Sequence, residues 1–412
     1  MKKGSHSPTF AKQDSFMSIQ TVWLHVGHGK TGSSFIQSAL AASVPVLDAV
    51  GLHYPIYRRI YDRARAGHVS SGNMAPEAGA LRNLLDRVPT PAGTTDILLS
   101  NEGLFHALFR KERLIDEVRE AFPGAKIKML LFIRDPMDHM ISSYHQAVKR
   151  SGFLDSLDTY SENYSIPSAV VGFLDAAAAE GIELTVHNYS RHADALLPLV
   201  EKWLGLAPDA LVRPPVERVN RSMTNAELEL QRAFTRHLGK ESSRFISDPL
   251  CDRLPDVDSE TPGMSSEGLK RFLDRIGTLL SELNGKVPAD EAYRIGTEAD
   301  YADMLAVGRE DSMNLFSNAQ LEVLAEAIGA HIKALQDQLT MRSPRHSDAT
   351  EIKSASAAPA EMTKKERQER QRQRSLRMAA KTERERKKAE RETAKAERDD
   401  QRSPRGQSSP AA

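Results

Sequence analysis

Four short apolar runs, each followed by a stretch of helical periodicity, limit this chain to one class of fold. They are IQTVWLHV (Ile19 to Val26), DILLS (Asp96 to Ser100), KIKMLLFI (Lys126 to Ile133) and ELTVHNY (Glu183 to Tyr189). A strand buried on both faces reads as a continuous apolar run, and a parallel sheet covered by helices on both sides buries its strands in this way. After the first run, Ser33 to Ala42 puts Phe35, Ile36, Ala39 and Leu40 on one helical face. Leu104 to Phe122 reads as helix stopped by Pro123 and Gly124, and Phe173 to Glu180 and Leu196 to Leu204 read as helices too. The alternation predicts an α/β fold with a parallel sheet wrapped on both faces. Helical patterns at Asn225 to Leu238, Gly268 to Leu283 and Asn318 to Leu339 predict a helical cap. One domain over residues 19–342 is therefore expected, with an α/β core over 19–221 and a helical region over 222–342.

The chain's zero net charge hides an asymmetry. From Pro344 onward there are 19 Lys and Arg against 12 Asp and Glu, so the tail carries +7 and the rest −7. An acidic body argues against a specific nucleic-acid binder. The run from Glu361 to Arg398 has good helix formers and opposite charges three and four apart, but few apolar side chains. Residues 343–412 read as a solvated, partly helical tail; a coiled coil, or contact of this basic segment with an anionic membrane or a partner, is the alternative. Residues 1–18 read as a disordered extension without a signal-peptide core, and Met17 offers a second candidate start. The single cysteine, Cys251, excludes an internal disulfide and a multi-cysteine metal centre, and points to a reducing, cytoplasmic setting. No apolar run approaches the roughly 18 residues of a membrane span.

Two segments carry chemistry. The first, VGHGKTGSS, directly follows the first strand and opens a helix. Backbone N–H groups in such a turn, with the helix N-terminus, make a concave site for phosphate, and glycines let the anion approach. Lys30 adds a point charge, and Thr31, Ser33 and Ser34 add hydroxyl donors. A nucleoside-triphosphate loop of the pattern G-x-x-x-x-G-K-[ST] matches at Gly29, Lys30 and Thr31, but its first glycine falls on Leu24, inside the strand. No magnesium-binding aspartate closes a strand in the expected place either. The second segment, LLFIRDPMDHMISSYHQAVK, puts Arg134 at a strand end and Ser142 eight residues later on the next helix. A guanidinium there can engage a phosphate through two parallel N–H bonds. Equally, Arg134 can pair with Asp135 or Asp138, and Ser142 can sit on a helix surface.

Taken in order, HVGHGKTGSSFIQ and the Arg134-to-Ser142 segment resemble the two donor-binding motifs of bacterial members of the superfamily of sulfotransferases that use 3′-phosphoadenosine 5′-phosphosulfate (PAPS). The resemblance covers about Thr21 to Arg221. It implies a P-loop-like α/β fold, with the 5′-phosphosulfate held by Lys30, Thr31, Gly32, Ser33, Ser34 and Phe35 and the 3′-phosphate by Arg134 and Ser142. It also implies sulfuryl transfer without a metal, with Lys30 catalytic and a carbohydrate or glycolipid hydroxyl as acceptor. The family places a Glu or His just past the second strand, which makes Glu102 the first candidate for general base and His68, in AGHVSSGN, the second. Glu102 reads equally as support for the helix near Gly103. His25 reads as a core histidine, His28 as within reach of donor or acceptor, and Tyr189 as a packing residue. Arg218 and Arg221 read either as a late clamp on the 3′-phosphate or as a solvated pair. Two other classes stay open: a P-loop kinase or ATPase, and a non-catalytic interaction protein with a degenerate nucleotide site.

Overall fold

The computed structural model describes residues 19–65, 72–110, 113–214, 221–307 and 315–342. The chain divides into two units after Thr340, and the fold below belongs to the first. His68, Arg218 and the charged tail lie outside the described residues. Five strands form: β1 (Thr21–Gly27), β2 (Leu52–His53), β3 (Asp96–Asn101), β4 (Lys126–Ile133) and β5 (Glu183–Asn188). All pair in parallel, in the spatial order β2-β3-β1-β4-β5.

The side chains of the three inner strands alternate between two cores. Val22, Leu24 and Val26 of β1, Ile97 and Leu99 of β3, and Met129, Leu131 and Ile133 of β4 enter one. Trp23, Leu98, Leu130 and Phe132 enter the other. Both faces are therefore dry, which is why these strands read as unbroken apolar runs. The helix Ser33–Ala42 covers the second face through Ile36, Ala39 and Leu40, beside Leu196, Leu197 and Val200 of Leu196–Leu204. The first face is covered by Pro136–Gln146, Ile166–Ala179 and Ser266–Asn284, the last through Leu269, Phe272, Ile276, Leu280 and Leu283. A small third core joins Ile246 and Leu250 to Val323 and Leu324 of the helix Asn318–Arg342. Among the described residues no helix is long and apolar enough to cross a membrane.

Strand order positions the site. The chain runs from central β1 out to β2 and back through β3, then crosses to β4 and β5 on the other side. The carboxyl ends of β3, β1 and β4 therefore lie abreast, with Val26 opposite Asn101 and Gly27 opposite Phe132. In open α/β sheets such a reversal leaves a crevice at the carboxyl edge, where ligands bind. Two elements differ from the sequence reading. The helix expected over Leu104 to Phe122 forms as two pieces, Leu104–Ala107 and Leu114–Ala121, and the second starts after Arg113 in a left-handed conformation (φ 41°). The edge strand β2, two residues long, was not expected.

Candidate functional site

The loop after β1 takes a compact shape because three of its residues are left-handed: Gly29 (φ 80°), Lys30 (φ 56°) and Gly32 (φ 80°). Glycine adopts this region freely; Lys30 does not, so the fold holds Lys30 against a local preference. Gly32 is the N-cap of Ser33–Ala42, and no side chain caps that terminus. A Cβ at Gly27 would stand 2.4 Å from Ser33 Oγ, so a side chain there would displace that hydroxyl. Thr31 and Ser33 are buried, and their hydroxyls have no hydrogen-bond partner. Ser34 is half-buried, and Phe35 packs against the second core.

Arg134 comes off β4 and locks onto this loop. Its Nη1 donates to the Lys30 carbonyl at 2.9 Å, its guanidinium lies 5.1 Å from the centre of the Tyr189 ring, and its Nε is buried without a partner. The alternative ion pairs do not form. Asp135 instead accepts from Asn188 Nδ2 (2.9 Å), the Arg294 backbone N–H (3.0 Å) and Arg191 (3.4 Å), and Asp138 accepts from Ser190 Oγ. Tyr189 thus does more than pack, since it orients Arg134 through the face of its ring. Ser142 is half-buried on Pro136–Gln146.

Lys30 Nζ donates to Gln146 Oε1 at 2.9 Å. Burial lowers its pKa, as do the nearby charges of Lys149, Arg134 and Arg150, while Glu102 pulls the other way. Burial likewise raises the Glu102 carboxyl above its ordinary value, against the opposing pull of Lys30. Glu102 follows β3 directly, and a Cβ on Gly29 would stand 3.5 Å from its Oε2. It does not support the following helix: Asn101 Oδ1 accepts the Gly103 N–H at 2.7 Å, and Leu104–Ala107 has no side-chain cap. Lys149 is buried, with its ammonium 3.4 Å from Asp248, which also accepts from Arg150 at 2.9 Å. Four cations, Lys30, Arg134, Lys149 and Arg150, thus gather around one loop.

Behind the loop is a buried relay. His28 Nδ1 lies 3.1 Å from His139 Nε2, and His139 Nδ1 lies 3.0 Å from the Tyr164 hydroxyl. Burial lowers His28 to about 4, so it is neutral, and it faces His139 and Phe105. His25 is a core residue bonded to Ser100 Oγ at 2.8 Å. Arg221 is neither clamp nor solvated: it makes two 2.7 Å bonds to Glu227 and donates to the carbonyls of Leu250, Leu254 and Ser222. Glu227 is also the N3 residue of a capping box with Thr224. Thr-x-x-Glu before an apolar helix is the sequence signature of that capping box. Lys149 and Arg150 had no such signal, because they sit in a π-helical turn, Ala147–Ser151, that changes which side chains face the loop; Gln146 ends the regular helix before it.

No family model matches this sequence, and no curated protein matches it. Among solved structures it is similar to the sulfotransferase domain from the curacin biosynthetic pathway, at 14% identity and a TM-score of 0.29, over 63% of this chain and 98% of that one. The functional reading therefore rests on the side chains just described.

Proposed function

We propose that this chain transfers a sulfuryl group from PAPS to an acceptor hydroxyl, of the carbohydrate or glycolipid class. The observation that carries the reading is the joined pair at the crevice. A left-handed loop with buried, unpartnered hydroxyls on Thr31 and Ser33 is tied by its Lys30 carbonyl to Arg134, whose Nε is also unpartnered. Buried polar atoms want partners, and phosphate oxygens supply them in this chemistry.

In this reading the backbone N–H groups at the start of Ser33–Ala42 and the Thr31 and Ser33 hydroxyls hold the 5′-phosphosulfate, and Arg134, with Ser142, holds the 3′-phosphate. Lys30, already on a left-handed backbone at the loop's apex, moves its ammonium from Gln146 to the oxygen that bridges phosphorus and sulfur. It neutralises the charge that grows there as the bond to sulfur breaks. Glu102, at the neighbouring strand end and raised by burial, accepts the proton of the attacking hydroxyl. His68 remains the second candidate for that proton. A labelled-sulfate transfer screen against cell extract tests the assignment. Lys30→Ala is expected to lower transfer by about 10²- to 10³-fold, and a near-normal rate would remove Lys30 from the mechanism. Glu102→Gln at full rate, with His68→Ala inactive, would move the base to His68.

A further inference from the structure

A second constellation lies one strand away, at the carboxyl end of β5. His187 belongs to β5, His192 to the short helix Tyr189–His192, and Glu291 to the 3-10 turn Ala289–Glu291, about a hundred residues later. Glu291 Oε1 lies 2.7 Å from His187 Nδ1 and 3.0 Å from His192 Nε2, and Oε2 lies 3.1 Å from the same His192 nitrogen. One ligand atom from each residue lies within 4.8 Å of the other two. The carboxylate is held in place: the Asn188 backbone N–H donates to Oε2 at 2.7 Å, and Asn188 Nδ2 donates to the Glu291 carbonyl.

Glu291 is buried at 4% exposure, yet no Lys or Arg pairs with it among the described residues. The guanidinium of Arg191, next to His192 in the chain, is taken by Asp135 and the Ala292 carbonyl. Among the described residues its ion-pair partners are these two imidazoles, and buried carboxylates are normally paired or bound to a metal. A tetrahedral cation with about 2.0–2.2 Å contacts to imidazole nitrogen and carboxylate oxygen would hold those atoms about 3.3–3.6 Å apart, so the hydrogen-bonded separations here need to open by about half an ångström to admit it. Two histidines and one carboxylate suit a borderline ion and leave a fourth position for water. Both histidines keep some exposure, 20% and 30% of their side chains, so an ion can enter.

We propose that His187, His192 and Glu291 bind one Zn²⁺ ion, which clamps the end of β5 to the segment that carries Glu291. The clamp sits beside the donor crevice, because Asn188 also bonds Asp135, the residue after Arg134. It is independent of the sulfuryl-transfer reading.

The test uses the full chain without a polyhistidine tag, stripped with chelator, dialysed, and titrated with Zn²⁺ at pH 7.5 by calorimetry. One equivalent binds, and the melting temperature rises by about 5 °C at a hundredfold excess over Kd. Co²⁺ in place of Zn²⁺ gives the visible absorption of a four-coordinate nitrogen–oxygen site. His192→Ala and Glu291→Gln abolish the binding, whereas His237→Ala, an exposed histidine on Asn225–Leu238, leaves it intact. If the unmodified protein takes up no Zn²⁺, or if Glu291→Gln binds it as tightly, the three residues are a hydrogen-bonded cluster and the proposal fails. The first of these outcomes is decisive whether or not any variant folds.

Discussion

Replacing Gly32 by alanine separates the two demands that the loop places on its sequence. The first is conformational: Gly32 sits at φ 80°, where an L-residue costs about 1–2 kcal/mol. The second is space: an added Cβ would stand 2.5 Å from Leu196 Cδ1 and 3.0 Å from Tyr189 Cε2. Leu196 is 4% exposed within the second core, so relieving that overlap costs about another 1–3 kcal/mol. Gly124 supplies the control. It has nearly the same angle, φ 79°, but nothing within 4 Å of an added Cβ. Urea denaturation should therefore find Gly32→Ala destabilised by about 2–5 kcal/mol and Gly124→Ala by about 1–2 kcal/mol, with unchanged slopes. The functional arm follows from Tyr189. Pushing its ring aside removes the face on which Arg134 lies, so affinity for 3′-phosphoadenosine 5′-phosphate should drop about tenfold, or about 1.4 kcal/mol, in Gly32→Ala alone. Equal destabilisation of the two variants would refute the packing argument. Unchanged affinity in a folded Gly32→Ala protein would refute the link from Tyr189 to Arg134.

Other outcomes follow from the same geometry. Arg134→Lys keeps the charge but loses the fork and the ring contact; it should weaken donor binding about tenfold in a calorimetric titration while leaving the fold intact. Transfer rate against pH should be bell-shaped: it rises as Glu102 ionises above the usual carboxylate range and falls as Lys30 loses its proton below the usual ammonium range. Glu102→Gln should erase the rising limb, and its survival would point to another base. Arg221→Ala strands the buried Glu227 carboxylate and should cost about 3–5 kcal/mol by denaturant unfolding. The double variant Arg221→Met with Glu227→Leu should cost less than Arg221→Ala alone, since no buried charge is then left unpaired.

What could be read from the sequence was what is local. β4 was legible to the residue, because its last five positions, Met129 to Ile133, are buried on both faces and read as one apolar run, and Ser33–Ala42 was legible from its apolar face. β2 was not, since two residues pairing at an edge leave no period to detect. The Leu104-to-Phe122 pattern hid a break, because the charged run Arg110 to Arg113 between its apolar residues consists of good helix formers and carries no stop signal, although the backbone is left-handed at Arg113. At the site, Lys30 and Arg134 stood out because each marks a strand end followed by a helix. That Arg134 ignores Asp135 and reaches the Lys30 carbonyl depends on β1 and β4 being neighbours, which no local signal contains. The same holds for His187, His192 and Glu291, which only the packing of a distant turn against β5 brings together.

The most direct test of the donor site is a calorimetric titration of the unmodified protein with 3′-phosphoadenosine 5′-phosphate beside ATP plus Mg²⁺, repeated with Arg134→Ala and Lys30→Ala. The bisphosphate nucleotide should bind at one equivalent, ATP plus Mg²⁺ should not displace it, and Arg134→Ala should weaken it by at least about tenfold. Binding of ATP plus Mg²⁺ alone would make this a triphosphate loop in spite of Leu24, and binding of neither would leave the crevice without a nucleotide.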